Sequence, residues 1–195
     1  MAFKIESIHL NGLTVIAPDV FKDDRGFFME AFRADYFDAL GLPSSFPQDN
    51  HSRSVQGVLR GMHFQWEPPQ GKLVRVTVGR AFLAMVDIRK NSPTLGKWCS
   101  FTFSAEERKL VWVPPGFANG FCALSDVVEI QYKCTAIYSK NSEGSILWND
   151  PAIGIQWPLA NPILSPKDEK GMTLSEWLAK PEADCFRYDQ VKSKN

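Results

Sequence analysis

The stretch KLVRVTVGRAFLAMVDIR, residues 72–89, decides the fold class. From Lys72 to Val78 the side chains alternate with the period of two that a strand imposes, Gly79 interrupts, and a second β-type run follows. Downstream, WCSFTF (98–103), LVWV (110–113), GFCAL (120–124) and VVEIQYKC (127–134) come at short spacing. Loops rich in Pro, Gly, Asn and Ser separate them at 90–96 and 114–116. Many short strands with turn signals and no helical pattern between them predict a mainly β chain, an antiparallel sandwich or small barrel.

Upstream, residues 48–72 (QDNHSRSVQGVLRGMHFQWEPPQGK) carry two of the three histidines, with glycines at 57, 61 and 71. On a strand, Gly61, His63 and Gln65 share one face and Met62 and Phe64 the other, so this strand turns a polar face to a wet pocket. Residues 1–20 read as one first strand. Asp24-Arg25-Gly26 is a turn signal before an aromatic, strand-like run, and on local evidence Arg25 and Glu30 are a solvated turn and a strand exit. Residues 33–41 place Tyr36, Phe37 and Leu40 at helical spacing and stop at Gly41. Residues 144–158 read as two short strands across a turn. Residues 172–180 read as an amphipathic helix with Thr173 as N-cap and Glu176 completing a capping box. The polar tail after Tyr188 is expected to fray.

Composition narrows the function classes. The 195 residues suffice for one domain with a sizeable core, and no Ser/Gly-rich linker divides them. Lys+Arg and Asp+Glu balance at 22 each, so the global field draws in neither nucleic acid nor an anionic membrane, and an anionic ligand needs a local basic cluster. No apolar run approaches the ~20 residues of a membrane span, and the start of the chain has no signal-peptide pattern. The four cysteines (99, 122, 134, 185) lack C-x-x-C spacing, which fits reduced thiols in a cytoplasm, with Cys122 and Cys134 as core residues.

His63 is the candidate chemical centre. Three-histidine metal binding would require His9, His51 and His63 together at unsuited spacings, and the late turn 114–120 offers Asn119 where a histidine ligand would be useful, so no metal is expected. An imidazole, with an ordinary pKa of about 6.5, suits proton abstraction near neutrality. Arg60, Lys72 and Arg75 are basic neighbours in sequence, and Gln48, Asn50 and Gln65 are polar ones. Tyr132 and Tyr138 add phenols. Jointly these describe a polar pocket for an anionic, hydroxyl-rich ligand.

Collinear segments then carry a resemblance: 24–30 (DRGFFME), 48–52 (QDNHS), 57–65 (GVLRGMHFQ), 70–75 (QGKLVR), 86–90 (VDIRK), 115–121 (PGFANGF), 132–135 (YKCT), 146–151 (ILWNDP) and 164–168 (LSPKD). Together they span roughly residues 5 to 170 and resemble the dTDP-4-dehydrorhamnose 3,5-epimerase family, enzymes with a cupin-type jelly roll. The resemblance implies that a 4-keto group acidifies the C3 and C5 hydrogens of a nucleotide-linked deoxyhexose, and that proton removal and return from the opposite face inverts both centres. By the same resemblance His63 is the base, Asp168 its orienting carboxylate, Lys72 the cation near the developing oxyanion, and Tyr132 the acid on the other face. Arg25 and Arg60 would contact the diphosphate, Gln48 and Asn50 the base, and Tyr138 would pack on it. Glu30, Asn119 and Lys167 would approach the ligand. No cofactor is implied. A homodimer is, with N-terminal strands exchanged so that the neighbour supplies part of the 25–30 segment.

Two departures stand out: Asn119 where many relatives have histidine, and Leu83 where many have aspartate. Single-centre epimerases share the site pattern, so inversion at C3 or C5 alone is the alternative reading. A metal-dependent cupin oxygenase or isomerase and a catalytically silent sugar-nucleotide binding module are the competing classes. Binding alone needs no acid and base on opposite faces.

Overall fold

The computed structural model describes residues 3–191. The chain runs through β1 (Phe3–His9), β2 (Leu13–Pro18), β3 (Phe21–Asp23), β4 (Gly26–Phe28), α1 (Ala34–Ala39), β5 (Gln48–Val55), β6 (Leu59–Gln65), β7 (Lys72–Val78) and β8 (Arg80–Asp87). It continues through β9 (Trp98–Ser104), β10 (Leu110–Val113), β11 (Phe117–Ala123), β12 (Val127–Cys134), β13 (Glu143–Ser145), α2 (Leu174–Leu178) and α3 (Tyr188–Val191). Two antiparallel sheets result, in the orders β1-β2-β10-β7-β12-β5 and β13-β6-β11-β8-β9, and β3 and β4 form a separate ribbon. This is the jelly-roll arrangement expected from the sequence.

The 72–89 stretch is the corner of that arrangement, because β7 lies in the first sheet and β8 in the second. Gly79 turns the chain between them with φ +75°, and a Cβ there would sit 2.0 Å from the Val127 carbonyl oxygen. The two strands also explain their different patterns. Between the sheets lies a core of Leu13, Val15, Val74, Val76, Leu83, Met85, Val111, Val128 and Ile130. On the outer side of β8, Ala84 and Val86 join Met62, Phe64, Ile153, Ile155, Trp177 and Phe186 in a second cluster. A strand covered on both faces needs a continuous apolar run, which is what Leu83-Ala84-Met85-Val86 supplies. A third cluster packs Phe37 of α1 on Phe3, Ile16, Leu73, Leu110 and Trp112, covering the outer face of the first sheet.

Several local expectations hold. The turn at 24–25 joins β3 to β4. Helix α1 ends at a Leu40 C-cap before Gly41, at φ +69°. Thr173 caps α2 with both halves of the capping box formed. Cys122 and Cys134 are fully buried.

Three expectations need correction. Residues 3–18 form two strands, not one, because Leu10 and Asn11 adopt positive φ (47° and 54°) and fold the segment into a hairpin. Residues 144–158 contain only the end of β13. The remainder is a looped segment whose turns are held by the Asp150 carboxylate, which accepts from the backbone N–H groups of Ala152 (2.9 Å) and Leu174 (2.7 Å). Its alternating isoleucines, Ile153 and Ile155, are apolar because they plug the outer face of the second sheet. In the tail, Tyr188–Val191 is a helical turn, and the rest of the expected frayed segment lies outside the described residues.

Candidate active site

The site starts with the alternation of β6. Met62 and Phe64 are buried in the outer cluster, so His63 is turned inward, between the sheets. Strands β6 and β11 approach closely here. A Cβ on Gly61, at φ +141°, would lie 2.5 Å from the Gly120 Cα, so only glycine allows this contact. On β11, Asn119 pairs across from His63.

Asp168 opens a 3-10 turn (Asp168–Lys170), far along the chain, and is 3% exposed. His63 Nε2 and Asp168 Oδ1 are 2.6 Å apart. The Ser165 hydroxyl donates to Asp168 Oδ2 at 2.7 Å, and the Gly61 N–H reaches Oδ1 at 3.4 Å. Burial by itself raises the Asp168 carboxyl, but the hydrogen bonds from His63 and Ser165 and the adjacent imidazole outweigh it, leaving the carboxyl below its ordinary value. An ionised Asp168 accepts the Nε2 proton, which leaves the lone pair on the other ring nitrogen.

A chamber of about 260 Å³ opens in front of His63. Its polar wall holds Arg60, His63, Lys72, Asn119, Tyr132 and Glu143, with Ser52 at the edge. Val74, Leu83, Met85, Phe121 and Ile130 line the remainder. Lys72 donates to Asn119 Oδ1 at 3.4 Å and stands 5.7 Å from the centre of the Tyr132 ring. Burial pushes the Lys72 ammonium down from the ordinary lysine range. Burial first, with the nearby Glu143 carboxylate adding to it, pushes the Tyr132 phenol up, so it stays protonated.

A second cavity of about 280 Å³ shares His63, Lys72, Tyr132 and Glu143 with the chamber and adds Gln48, Asn50, Gln70 and Tyr138. Gln48 donates to Asn50 Oδ1 (3.1 Å) and accepts from the Tyr138 backbone N–H (2.7 Å), so these three expected residues form one unit. Buried Gln65 braces the same loop through Ile137 O and the Ser139 N–H. A third hollow, about 400 Å³, places Arg60 and Lys167 beside the His63–Asp168 pair.

His63, Asp168, Lys72, Tyr132, Asn119, Arg60, Gln48, Asn50, Tyr138 and Lys167 are therefore brought together around adjoining cavities. Arg25 and Glu30 are not. The Arg25 side chain is 91% exposed on the β3–β4 ribbon and pairs with Asp23, while Glu30 bonds to Arg33 at 3.4 Å. Sequence reasoning missed Glu143, which lines two of the cavities, accepts from the Tyr138 hydroxyl at 2.9 Å and pairs with Lys167. Burial favours its neutral form, but the bonds from Lys167 and Tyr138 hold it lower than usual. Nothing local in KNSEGS marks it; only its β13 pairing beside β6 does. Among the described residues no group of three or more His, Cys, Asp or Glu side chains is arranged to hold a metal ion.

A half-buried imidazole bonded to a buried carboxylate, facing a lysine and a protonated phenol, is an arrangement that can move a proton at a carbon next to a carbonyl. Comparison with known proteins points the same way. The family model for dTDP-4-dehydrorhamnose 3,5-epimerase matches residues 7–176. A dTDP-4-dehydrorhamnose 3,5-epimerase of Shigella flexneri is 54% identical over 159 residues, covering 80% of this chain and 88% of that protein. The enzyme of the same name from Neisseria gonorrhoeae is 50% identical over 186 residues, 95% of this chain, which spans 56% of that longer protein. The crystal structure of a dTDP-6-deoxy-D-glucose-3,5-epimerase from Legionella pneumophila, solved with dTDP-4-keto-L-rhamnose, superposes with a TM-score of 0.88 at 43% identity, covering 93% of this chain and 96% of that one. With the fold, the matched length and the identity in agreement, the chain belongs to the dTDP-4-dehydrorhamnose 3,5-epimerase family.

Proposed function

We propose that this chain inverts C3 and C5 of a dTDP-4-keto-6-deoxyhexose through enolate intermediates, in the making of a rhamnose-type deoxysugar. The observation that carries the reading is the 2.6 Å His63–Asp168 contact opening onto a chamber that also holds Lys72 and Tyr132. The ring nitrogen of His63 not bonded to Asp168 removes a proton next to the 4-ketone. Charge moves onto the ketone oxygen, where the Lys72 ammonium stabilises it without reorganising. Tyr132 returns a proton to the other face of the carbon. Each inversion leaves one proton on His63 and takes one from Tyr132, and exchange with water resets both. Arg60 and Lys167 hold the diphosphate, with Gln48, Asn50 and Tyr138 at the nucleotide base and Asn119 near the ketone. The chain's own residues supply every proton transfer. The cytoplasm, with its reducing thiol pools, is the compartment the four free cysteines suit.

Incubating the protein with dTDP-4-keto-6-deoxyglucose in deuterated water should place deuterium at C3 and C5, read by NMR. Absence of exchange at either carbon overturns the proposal, and exchange at one carbon alone makes it a single-centre epimerase.

The working unit we propose is a homodimer in which each chain lends its Arg25–Glu30 segment to the other. In support, the β3–β4 ribbon leaves Phe21, Phe27 and Phe28 54–66% exposed, and neither Arg25 nor Glu30 lines any of the three cavities around His63. Three neighbouring exposed phenylalanines are an apolar surface in want of a cover. Arg25→Ala and His63→Asn chains, each defective alone, should therefore regain activity when unfolded and refolded together, because one site of the mixed dimer then has both intact residues. No recovery, with mixed dimers confirmed by mass, excludes the exchange.

A further inference from the structure

The chamber in front of His63 is two-sided, and the function proposed above uses only the polar wall. Beyond it, one step further along the same strand faces that carry Lys72, Tyr132 and Asn119, Val74 (8% exposed), Ile130 (2%) and Phe121 join Leu83 (1%) and Met85 (1%) in a floor continuous with the core between the sheets. Leu83 and Phe121 are direct cross-strand neighbours on β8 and β11, and Met85 pairs with Asn119 in the same ladder. The floor carries no hydrogen-bonding side chain, and beside it the oxygen of the Asn119 amide, next to Met85 in the ladder, is engaged by Lys72. A substrate hydroxyl directed onto this floor would lose its water and find no partner among the floor side chains.

The chemistry of the sugar says which end faces the floor. C1 carries the diphosphate, which leads outward to Arg60, Lys167 and the Gln48–Asn50–Tyr138 unit. C4 lies across the pyranose ring from C1, and C5 with its substituent C6 is next to C4. A ring anchored at C1 in the outer cavity and presenting C5 to His63 therefore points its C6 end into the chamber. Resting on the function proposed above, we infer that the floor built by Leu83 and Met85 is the specificity surface that accepts a C6 methyl group and discriminates against a C6 hydroxymethyl group. Leu83 is central to it: a neutral amide at this position would offer a 6-hydroxyl a partner that leucine withholds.

Binding tests this without requiring turnover. Calorimetric titration of the wild-type protein with dTDP-6-deoxyglucose and with dTDP-glucose should show the 6-deoxy sugar bound more tightly by tens of fold, the scale on which an apolar pocket rejects an added hydroxyl (about 100-fold at most). Leu83→Asn and Met85→Gln, each close in volume to the original and each adding an amide to the floor, should both narrow that ratio by about tenfold. Two variants are used so that one failing to fold, as judged by thermal unfolding, leaves the other to decide. Equal affinity for the two sugars in the wild type overturns the inference, as does an unchanged ratio in a folded variant. Failure of deuterium exchange would instead sink the epimerase reading while leaving the binding ratio to decide the role of the floor.

Discussion

Replacing His63 with asparagine should lower the rate of deuterium incorporation at C3 and C5 by about 10²–10⁴-fold, the contribution of a positioned general base, with little change in nucleotide-sugar affinity. Asparagine retains size and polarity but has no lone pair basic enough to take a carbon-bound proton. Asp168→Asn should be nearly as damaging although it leaves His63 in place. The carboxylate now accepts the Nε2 proton at 2.6 Å and is steadied by Ser165 at 2.7 Å. An amide can instead donate to Nε2, which moves the ring proton to the nitrogen facing the chamber and blocks the base, and it cannot stabilise the imidazolium that forms. The double variant should then be scarcely worse than either single one, because the two residues act as a unit. Undiminished exchange in His63→Asn would remove it as the base. Asp168 also has a consequence for stability. Its folded-state pKa is depressed below the ordinary 3.8, so its contribution is present above that value and is lost as pH falls through the folded-state one. Acid unfolding of Asp168→Asn should lack that increment.

How much of this could be read beforehand depended on whether the signal was local. The alternation of 72–78, the apolar run 83–86 and the capping box at Thr173 are local, and each became the element its pattern predicts. So was His63, since a histidine between Met62 and Phe64 must face opposite to them on a strand. The hairpin at residues 9–13 was also locally signalled, by Asn11, a residue that tolerates the positive φ it adopts there, but the surrounding apolar residues suggested one continuous strand. The segment 144–158 misled for the opposite reason. Its isoleucine spacing reports burial against the second sheet, and burial at alternate positions does not require a hydrogen-bonded ladder. Partners distant in sequence were beyond local patterns altogether. Asp168 is 105 residues from His63, and the role expected of it came from the family resemblance, not from periodicity. Glu143 had neither a local pattern nor a quoted motif to mark it, and it became visible only when β13 was found paired along β6.

Lys72→Met should reduce turnover by about 10²–10³-fold, the scale of losing one fixed oxyanion-stabilising donor, while altering KM far less. The placement of the lysine explains why the loss falls on turnover. Its nearest polar partner is a neutral amide at 3.4 Å, and no carboxylate lies within ion-pair distance of it among the described residues. A cation neutralised by a carboxylate has little field left for a developing oxyanion; one facing an amide keeps most of its own. Holding it there has a cost, which burial expresses by depressing its pKa below the ordinary 10.5. Tyr132 moves in the other direction, upward from 10.0. The alkaline fall in kcat/KM, which reports ionisations of the free enzyme, should therefore belong to Lys72 and lie below the ordinary lysine value. In Lys72→Arg the guanidinium stays protonated, so that fall should move to higher pH even if the altered shape lowers the rate. In Tyr132→Phe the residual activity should keep the wild-type alkaline limb, because the group that causes it is untouched. A limb that survives in Lys72→Arg and disappears in Tyr132→Phe would exchange the two assignments and make the phenol the group whose ionisation limits the enzyme.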